Sequence, residues 1–423
     1  MELHGKYGKA IVYTDDIEQE AISQIINLLN QPMSENSNVR IMPDVHAGAG
    51  CVIGYTSKLT GKVVPNLIGV DIGCGVSAWK LGKRSSIGEK FDKLDKIIRK
   101  HVPSGREINE DFDSAEVKKI YNTLDIKGIS WDDFLNNISR ICKEVGQEEN
   151  YVLRSIGSLG GGNHFIEVDK DENDELWLIF HSGSRNFGLK IAKYHQGIAE
   201  QSLLSISKEE FNSRVENIKN TKKGKGIEVA IKTLRKEASQ KGKASGLEFL
   251  EGNDAQDYYR DMKIAQIYAQ LNRRVMASRV LKNMYKLNYY NPIESVHNYI
   301  NFSDSTLRKG AISAHAGEEV IIPLNMAEGC IIGIGKGNKD WNESAPHGAG
   351  RKMSRTKAKA TIRLEDFQTK MKKSGVWSSC IGKSTLDEAP QAYKKADKII
   401  SYLENTIDIK LRMKPIYNYK AND

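Results

Sequence analysis

Apolar residues recur every three to four positions over several stretches of the chain. Between Asp16 and Leu29, the residues Ile17, Ala21, Ile22, Ile25 and Leu28 fall on one face, the spacing of an amphipathic helix. FDKLDKIIRKHV, SAEVKKIYNTL and WDDFLNNISRICKEV have the same character within a charged stretch from about Ser85 to Arg154. A mostly helical, basic segment follows over residues 189–290, where YYRDMKIAQIYAQLNRRVMASRVLKNM reads as one long helix and KNTKKGKG as an exposed loop. The period shortens elsewhere. AIVYT, the alternating end of SIGSLGGGNHFIEV, the apolar LWLIF and the Gly- and Pro-broken run from Leu307 to Asn338 read as strands, and KPIYNYK as an edge strand. A Lys- and Arg-rich helix and a second helix over LDEAPQAYKKADKIISYL are predicted late in the chain. Helices and strands in this mixture predict an α+β fold. With no internal repeat and no low-complexity linker, the expectation is one domain over 1–423 that carries 189–290 as a helical insertion.

Composition narrows the class. No run of about 18 apolar residues is available to span a bilayer, and no early stretch has signal-peptide form; the expectation is a soluble, cytoplasmic protein with no membrane partner. The formal net charge of +9 and pI near 9.0 suit a partner rich in phosphate. Cys51, Cys74, Cys142, Cys330 and Cys380 are odd in number and free of CxxC pairs, which argues against a disulfide framework or a zinc ribbon. A cysteine with a task here is a lone ligand or a nucleophile.

The candidate chemistry gathers in glycine-rich stretches beside strand-like text. In NLIGVDIGCGVSAW, Asp71 and Cys74 stand three apart and could converge on a metal. Asp44 and His46 of IMPDVHAGAGCVIG read as supporting groups in the same neighbourhood. A strand–turn–strand over GGNHFIEV and LWLIFHSGSR could bring His164 and His181 together, and ESVHNYINF adds His297. One carboxylate, one thiolate and three imidazoles are too many for a single tetrahedral structural site. They suit two adjacent divalent ions sharing the sulfur, with Mn²⁺, Zn²⁺ or Co²⁺ favoured over Mg²⁺. In SAPHGAGRKMSR, His347 is presented between a proline and two glycines, with Arg351, Lys352 and Arg355 following as cations for a phosphate. His101, Cys142 and His315 read as structural.

The motifs DIGCGV, GGNHFIEV, HSGSR, HNY, RKGA and SAPHGAGR-MSR, in this order over nearly the whole chain, closely resemble the RNA-splicing ligase RtcB family. The resemblance implies an RtcB-type fold with glycine-rich catalytic loops at strand ends. It also implies a GTP-dependent RNA ligase that joins a 3′-phosphate or 2′,3′-cyclic phosphate to a 5′-hydroxyl in tRNA splicing or RNA repair, with archease as an activator of some relatives. Asp71, Cys74, His164, His181 and His297 then correspond to ligands of two Mn²⁺ ions bridged by Cys74, and His347 to the guanylylated residue. The guanosine site carried over comprises Asn163, His164, Phe165, Ile166, Glu167, His297, Asn298, Pro323, Leu324, Asn325, Met326, Cys330, His347, Gly348, Ala349, Gly350 and Lys420. Arg185 and Arg351, each following a ligand or nucleophile turn, are the candidates for RNA or triphosphate contact. This chain departs from the family pattern at IPLNM, where IPGSM is usual, at Cys330, where serine is usual, and in a longer ending after Lys420. The alternative to ligation is a two-metal phosphoesterase acting on RNA ends, which needs the metals and has no use for His347.

Overall fold

The structure, a computed structural model, describes residues 1–83, 90–203, 206–238, 244–288 and 290–421. The Ser85 start of the charged helical stretch and the last two residues of the chain lie outside these.

Two larger sheets carry the fold. The first has the order β1 (Glu2–His4), β2 (Lys9–Val12), β3 (Val39–His46), β4 (Ile53–Lys58), β10 (Thr306–Lys309), β9 (Asn298–Asn301), with β2 and β3 parallel. The second is antiparallel, in the order β16 (Lys414–Lys420), β6 (Phe165–Lys170), β7 (Leu176–Ser182), β5 (Gly75–Gly82), β8 (Ile293–Val296). KPIYNYK is thus an edge strand, as its sequence predicts. Two smaller groups, β12 (Glu319–Asn325) with β13 (Gly329–Gly335) and β15 (Ile407–Arg412), and β11 (Ala311–Ser313) with β14 (Ser344–Pro346), complete the strands described.

β7 is buried at every residue, which is why LWLIF is apolar without alternation. Its pleat sends Leu176, Leu178 and Phe180 into one core and Trp177 and Ile179 into another, shared with Cys330 and Ile332 of β13. The next residue in the second register is His181, so the period that fills the layer between the sheets also aims this imidazole into its open end. Phe165 and Glu167 of β6 share that face, Phe165 lying opposite His181 in the ladder. The strand–turn–strand expected to unite His164 and His181 is this pair.

Helices cover the outer faces. α1 (Gln19–Leu29), α3 (Ser114–Tyr121), α4 (Trp131–Val145) and α5 (Glu149–Arg154) contribute to the largest core, and α2 (Phe91–His101) packs Leu94 and Ile98 under the second sheet. WDDFLNNISRICKEV is helical over the predicted residues because its ends are specified. Ser130 and Asp133 form a capping box, and Gly146 ends the helix at φ 66°. α6 (Arg185–Ala199), α7 (Lys208–Thr221), α8 (Lys225–Ala238) and α9 (Gly252–Val280) fill the predicted helical segment. α9 is no peripheral insertion, however. Met262, Tyr268 and Leu271 lie in the largest core, Met276 and Val280 in that beneath the second sheet, and Arg273 and Arg274 are buried with them. A solvated face, the ordinary expectation for these two cations, is not what the structure shows.

The late helices differ from expectation. The Lys- and Arg-rich helix is two, α10 (Arg355–Thr361) and α11 (Leu364–Ser374). LDEAPQAYKKADKIISYL is not one helix: two 3₁₀ turns, Lys383–Glu388 and Pro390–Ala392, precede α12 (Ala396–Leu403). Pro390 has no N–H to give and disfavours helix in the residue before it, so the apolar period there belongs to a turn.

Candidate active site

Asp71 to Cys74 form the turn entering β5, His164 precedes β6, His181 is the penultimate residue of β7, and His297 separates β8 from β9. These ends meet at one point. Cys74 Sγ lies 3.5 Å from His164 Nε2 and 3.3 Å from His181 Nε2. His181 Nε2 is 3.4 Å from His297 Nε2, and His164 Nε2 is 2.9 Å from Asp71 Oδ2. Two triads result, Cys74–His181–His297 and Asp71–Cys74–His164, each with its donor atoms within 4.8 Å of one another. Cys74 belongs to both.

The protonation pattern tests whether this set suits metal ions. His164 Nδ1 donates to the Leu159 carbonyl at 2.9 Å and His181 Nδ1 to the Asn163 carbonyl at 3.2 Å, so the Nε2 atoms carry bare lone pairs. Burial, and then the neighbouring cationic groups, hold His181 and His297 well below the usual imidazole range. Lone pairs converging on one another and on a sulfur repel unless a cation lies between them. Burial, and then the Asp71 carboxylate, push the Cys74 thiol well above its usual range; a thiolate there needs a metal's charge. Burial acts to raise Asp71, but its contacts with His164, Cys74 and His297 together hold the carboxyl below its usual range. Asp71 Oδ1 accepts from Ser184 N at 3.0 Å, which leaves Oδ2 for the cluster. The donor set fits a pair of divalent ions sharing the sulfur.

The core behind the cluster is polar and fully employed. Arg273, on α9, donates to Glu294 Oε1 and Ser77 Oγ, and through Nη1 to the carbonyls of Gly73 and Ser182, both at 2.9 Å. Its neighbour Asn272 accepts from Gly157 N and Ser158 N and donates to the Ser158 and Gly183 carbonyls. One turn of helix thereby ties together the loops that bear Cys74 and lead into His164 and away from His181.

His347 stands beside this cluster, its ring centroid 4.9 Å from that of His297. β14 pairs with β11, Pro346 opposite Ala311, which brings Gly310 against the imidazole: a Cβ on Gly310, at φ 61°, would lie 3.3 Å from His347 Cε1. Gly350, at φ 70°, is needed for another close approach, since a Cβ there would meet the Asp44 carbonyl oxygen at 2.3 Å. Asp44 is fully buried, and its Oδ2 accepts from His347 Nδ1 at 2.7 Å and from His347 N at 3.2 Å. The supporting role read for Asp44 is therefore to the nucleophile candidate. Its carboxylate holds Nδ1–H and turns an unprotonated Nε2 outward. His46, whose Nδ1 donates to the Asp44 carbonyl, is pushed down to about 4 by burial.

A cavity of about 590 Å³ opens over both features, ample for a nucleotide. Asp71, Cys74, Asn163, Phe165, Glu167, His181, His297, Asn298 and Lys420 line it, as do Pro323 to Met326 and His347 to Arg351. Most of the predicted residues are thus brought together. Ile166 is not: strand alternation buries its side chain in the core on the other face of the sheet. Cys330 lies behind Glu167, its Sγ 3.9 Å from Glu167 Oε1. Arg185 donates to Ser158 Oγ and the Gly105 carbonyl. Arg351 donates to Glu388 Oε1 at 3.2 Å and to the Asp387 carbonyl at 2.5 Å, with Tyr393 beneath its guanidinium. Both arginine forks therefore have intramolecular partners.

Sequence reasoning missed Glu388. Its carboxylate, 3 % exposed, receives Lys420 Nζ at 3.0 Å and Tyr393 Oη at 2.6 Å. Burial alone would raise it, but Lys420, Arg355 and Arg351 hold it below the usual carboxylate range. The adjacent acids and proline of LDEAP were the available signal, obscured by the helical period.

The chain matches the family model described as tRNA-splicing ligase RtcB over residues 24–421. It belongs to the RtcB family. A relative from Escherichia coli named RNA-splicing ligase RtcB1 is 30% identical, over 93% of this chain and 92% of its own length. RNA-splicing ligase RtcB of another strain of that species is 29% identical over the same shares. The tRNA-splicing ligase RtcB of Aeropyrum pernix is 25% identical over 96% of this chain and 94% of its own. The RtcB motifs are those on which the two triads and His347 are built, and no helix among the described residues is long and apolar enough to cross a membrane.

Proposed function

We propose that this RtcB-family chain is a GTP-dependent RNA ligase that joins RNA 3′-phosphate or 2′,3′-cyclic phosphate ends to 5′-hydroxyl ends. The observation that carries the reading is the placement of His347, its Nδ1 held by buried Asp44 and its ring beside a ligand set whose sulfur is shared by two triads. A phosphoesterase needs only the latter.

A cyclic end is first hydrolysed, water attacking phosphorus and the 2′-oxygen leaving as the 2′-hydroxyl; the resulting 3′-phosphate facing a 5′-hydroxyl has no good leaving group, so it must then be activated. His347 Nε2 attacks the α-phosphorus of GTP; the P–N bond forms and the P–O bond to pyrophosphate breaks. His347 keeps its Nδ1 proton throughout, hydrogen-bonded to the Asp44 carboxylate, whose charge offsets the positive charge that the ring acquires. An oxygen of the RNA 3′-phosphate then attacks the same phosphorus and the neutral imidazole leaves. The 5′-hydroxyl finally attacks the RNA phosphorus, GMP departs, and the hydroxyl proton passes to solvent. Two Mn²⁺ ions held by Asp71, Cys74, His164, His181 and His297 supply charge neutralisation and in-line alignment when bound. Phe165, Glu167 and Lys420 surround the guanosine moiety. Arg351 keeps the Glu388 end of the pocket in place, and Arg185 the Gly160 loop; both reach RNA or triphosphate only by exchanging a present partner.

The test is incubation with GTP radiolabelled at the α-phosphorus in the presence of Mn²⁺. The expected result is a labelled adduct, acid-labile and alkali-stable, that His347→Ala abolishes. No adduct on the wild-type chain overturns the reading in favour of RNA-end hydrolysis.

A further inference from the structure

Behind the cavity lies a second cluster of buried groups, in which Glu167 of the pocket wall meets Asp169 and Cys330, two groups the mechanism does not use. Glu167 and Asp169 are two apart on β6 and so share a face; Cys330 comes against them from β13. One donor atom from each lies within 4.8 Å of the others, and the three residues are 2%, 0% and 0% exposed. Glu167 has partners: Asn418 Nδ2 donates to Oε2 at 2.5 Å and the Cys330 thiol points to Oε1. Asp169 is in a different position. Among the described residues no donor makes a well-formed hydrogen bond to either of its oxygens; its polar neighbours are the Glu167 carboxyl and, as weaker contacts, the thiol and main-chain N–H of Cys330.

Two carboxylates have no proton between them to share, and at this range in a buried setting they repel strongly. One proton resolves the conflict, since a carboxylic acid can donate to the carboxylate beside it. It belongs on Asp169, because Glu167 alone has a cation facing it, Lys420 from β16, and a well-formed hydrogen bond from Asn418, whereas Asp169 has only the weaker contacts of Cys330. Burial, and then the Glu167 charge, push Asp169 well above the usual carboxylate range.

We propose that Asp169 is a positioning residue that keeps its proton at neutral pH and donates it to Glu167, fixing Glu167 as a carboxylate acceptor in the wall of the nucleotide pocket. Guanine offers a ring N–H and an exocyclic amine side by side, which a fixed carboxylate receives and an undissociated acid in its place does not. The shared proton thus sets the pocket for a donor-rich base edge. The consequence for GTP rests on the function proposed above; the proton itself does not.

Infrared difference spectroscopy of the full chain without nucleotide, wild type against Asp169→Asn in H₂O and D₂O, reads the proton directly. A carboxylic-acid C=O band at neutral pH, shifted in D₂O and absent from the variant, is expected; no such band overturns the proposal. Asp169→Asn keeps a donor toward Glu167, so GTP-adduct formation should hold its KM within a few-fold and its preference over ATP. Asp169→Leu should raise that KM about 10-fold or more, the scale of a lost hydrogen bond to a charged group. Asparagine as damaging as leucine refutes the donor role. Metal content that falls in Asp169→Asn while the Cys74-centred ions remain bound refutes it too, by showing a cation in the proton's place. A wild type without adduct removes the ligase reading and leaves the infrared band to decide this one.

Discussion

The two halves of the site are held in different ways. The Cys74 cluster draws its donor atoms from four separate strand ends; the His164 and His181 rings are held from behind by main-chain carbonyls, and the loops that bear them and Cys74 by the Asn272–Arg273 turn of α9. His347 depends on one carboxylate and on the tight passage of two glycines. The first half has five ligands to place within tenths of an ångström of one another, and a rigid, non-local core does that. The second half needs a ring whose tautomer is set and whose outer nitrogen stays free to take a group and release it. Under the proposed function, the densely hydrogen-bonded half is the one that would hold ions, and the half with a single side-chain hydrogen bond is the one that would carry the covalent step.

This contrast can be broken at four points. The largest effect is expected from Cys74→Ala, which removes the atom common to both triads. Bound metal measured by elemental analysis should fall to near zero and ligation with it, while circular dichroism stays native; unchanged metal content excludes the bridging role. Arg273→Met comes next. It leaves Glu294 with only Arg274, Gln270 and Ser77 and frees the Gly73 and Ser182 carbonyls, and leaving buried acceptors without their donor costs about 1–3 kcal/mol, to be read from urea unfolding. Stability within 1 kcal/mol of wild type, taken as about the noise of such comparisons, would show that α9 is not the clamp. Asp44→Asn should leave metal content and fold intact but slow adduct formation on the order of 10³–10⁴-fold, the scale on which neutralising the carboxylate of a His–Asp pair acts through the tautomer. Glu388→Gln should act least. It loosens Lys420 and Arg351 without unseating His347, and raises the KM for GTP about 10-fold, as for one charge-assisted hydrogen bond; an effect on metal content in its place refutes the separation of the two halves.

What could be read in advance follows the same division. The convergence of Asp71, Cys74, His164, His181 and His297 was legible because glycine-flanked Asp, Cys and His beside apolar strand text have few other uses, and the length of the β6–β7 pair determines that His164 and His181 meet. WDDFLNNISRICKEV was legible to the residue because its stop signals are local. Glu388 and Asp169 were not, since an acid in a helical-looking or alternating stretch is ordinarily solvated, and only the tertiary packing buries these two. The same holds for Arg273 and Arg274, ordinary cations of a basic helix until Glu294 is brought to them. LDEAPQAYKKADKIISYL misled because its apolar period outweighed the meaning of Pro390. Asp44 was placed in the right neighbourhood, but its partner lies 303 residues away, beyond what any local pattern carries.

Lys420, on the edge strand that pairs with β6, is the last of the site's residues to leave the ribosome. Asp71 and Cys74 precede it by most of the chain, on the order of tens of seconds at ordinary translation rates. During that interval the wall that Lys420 contributes to the cavity does not yet exist. The cavity is therefore finished only when the last strand of the second sheet pairs with β6.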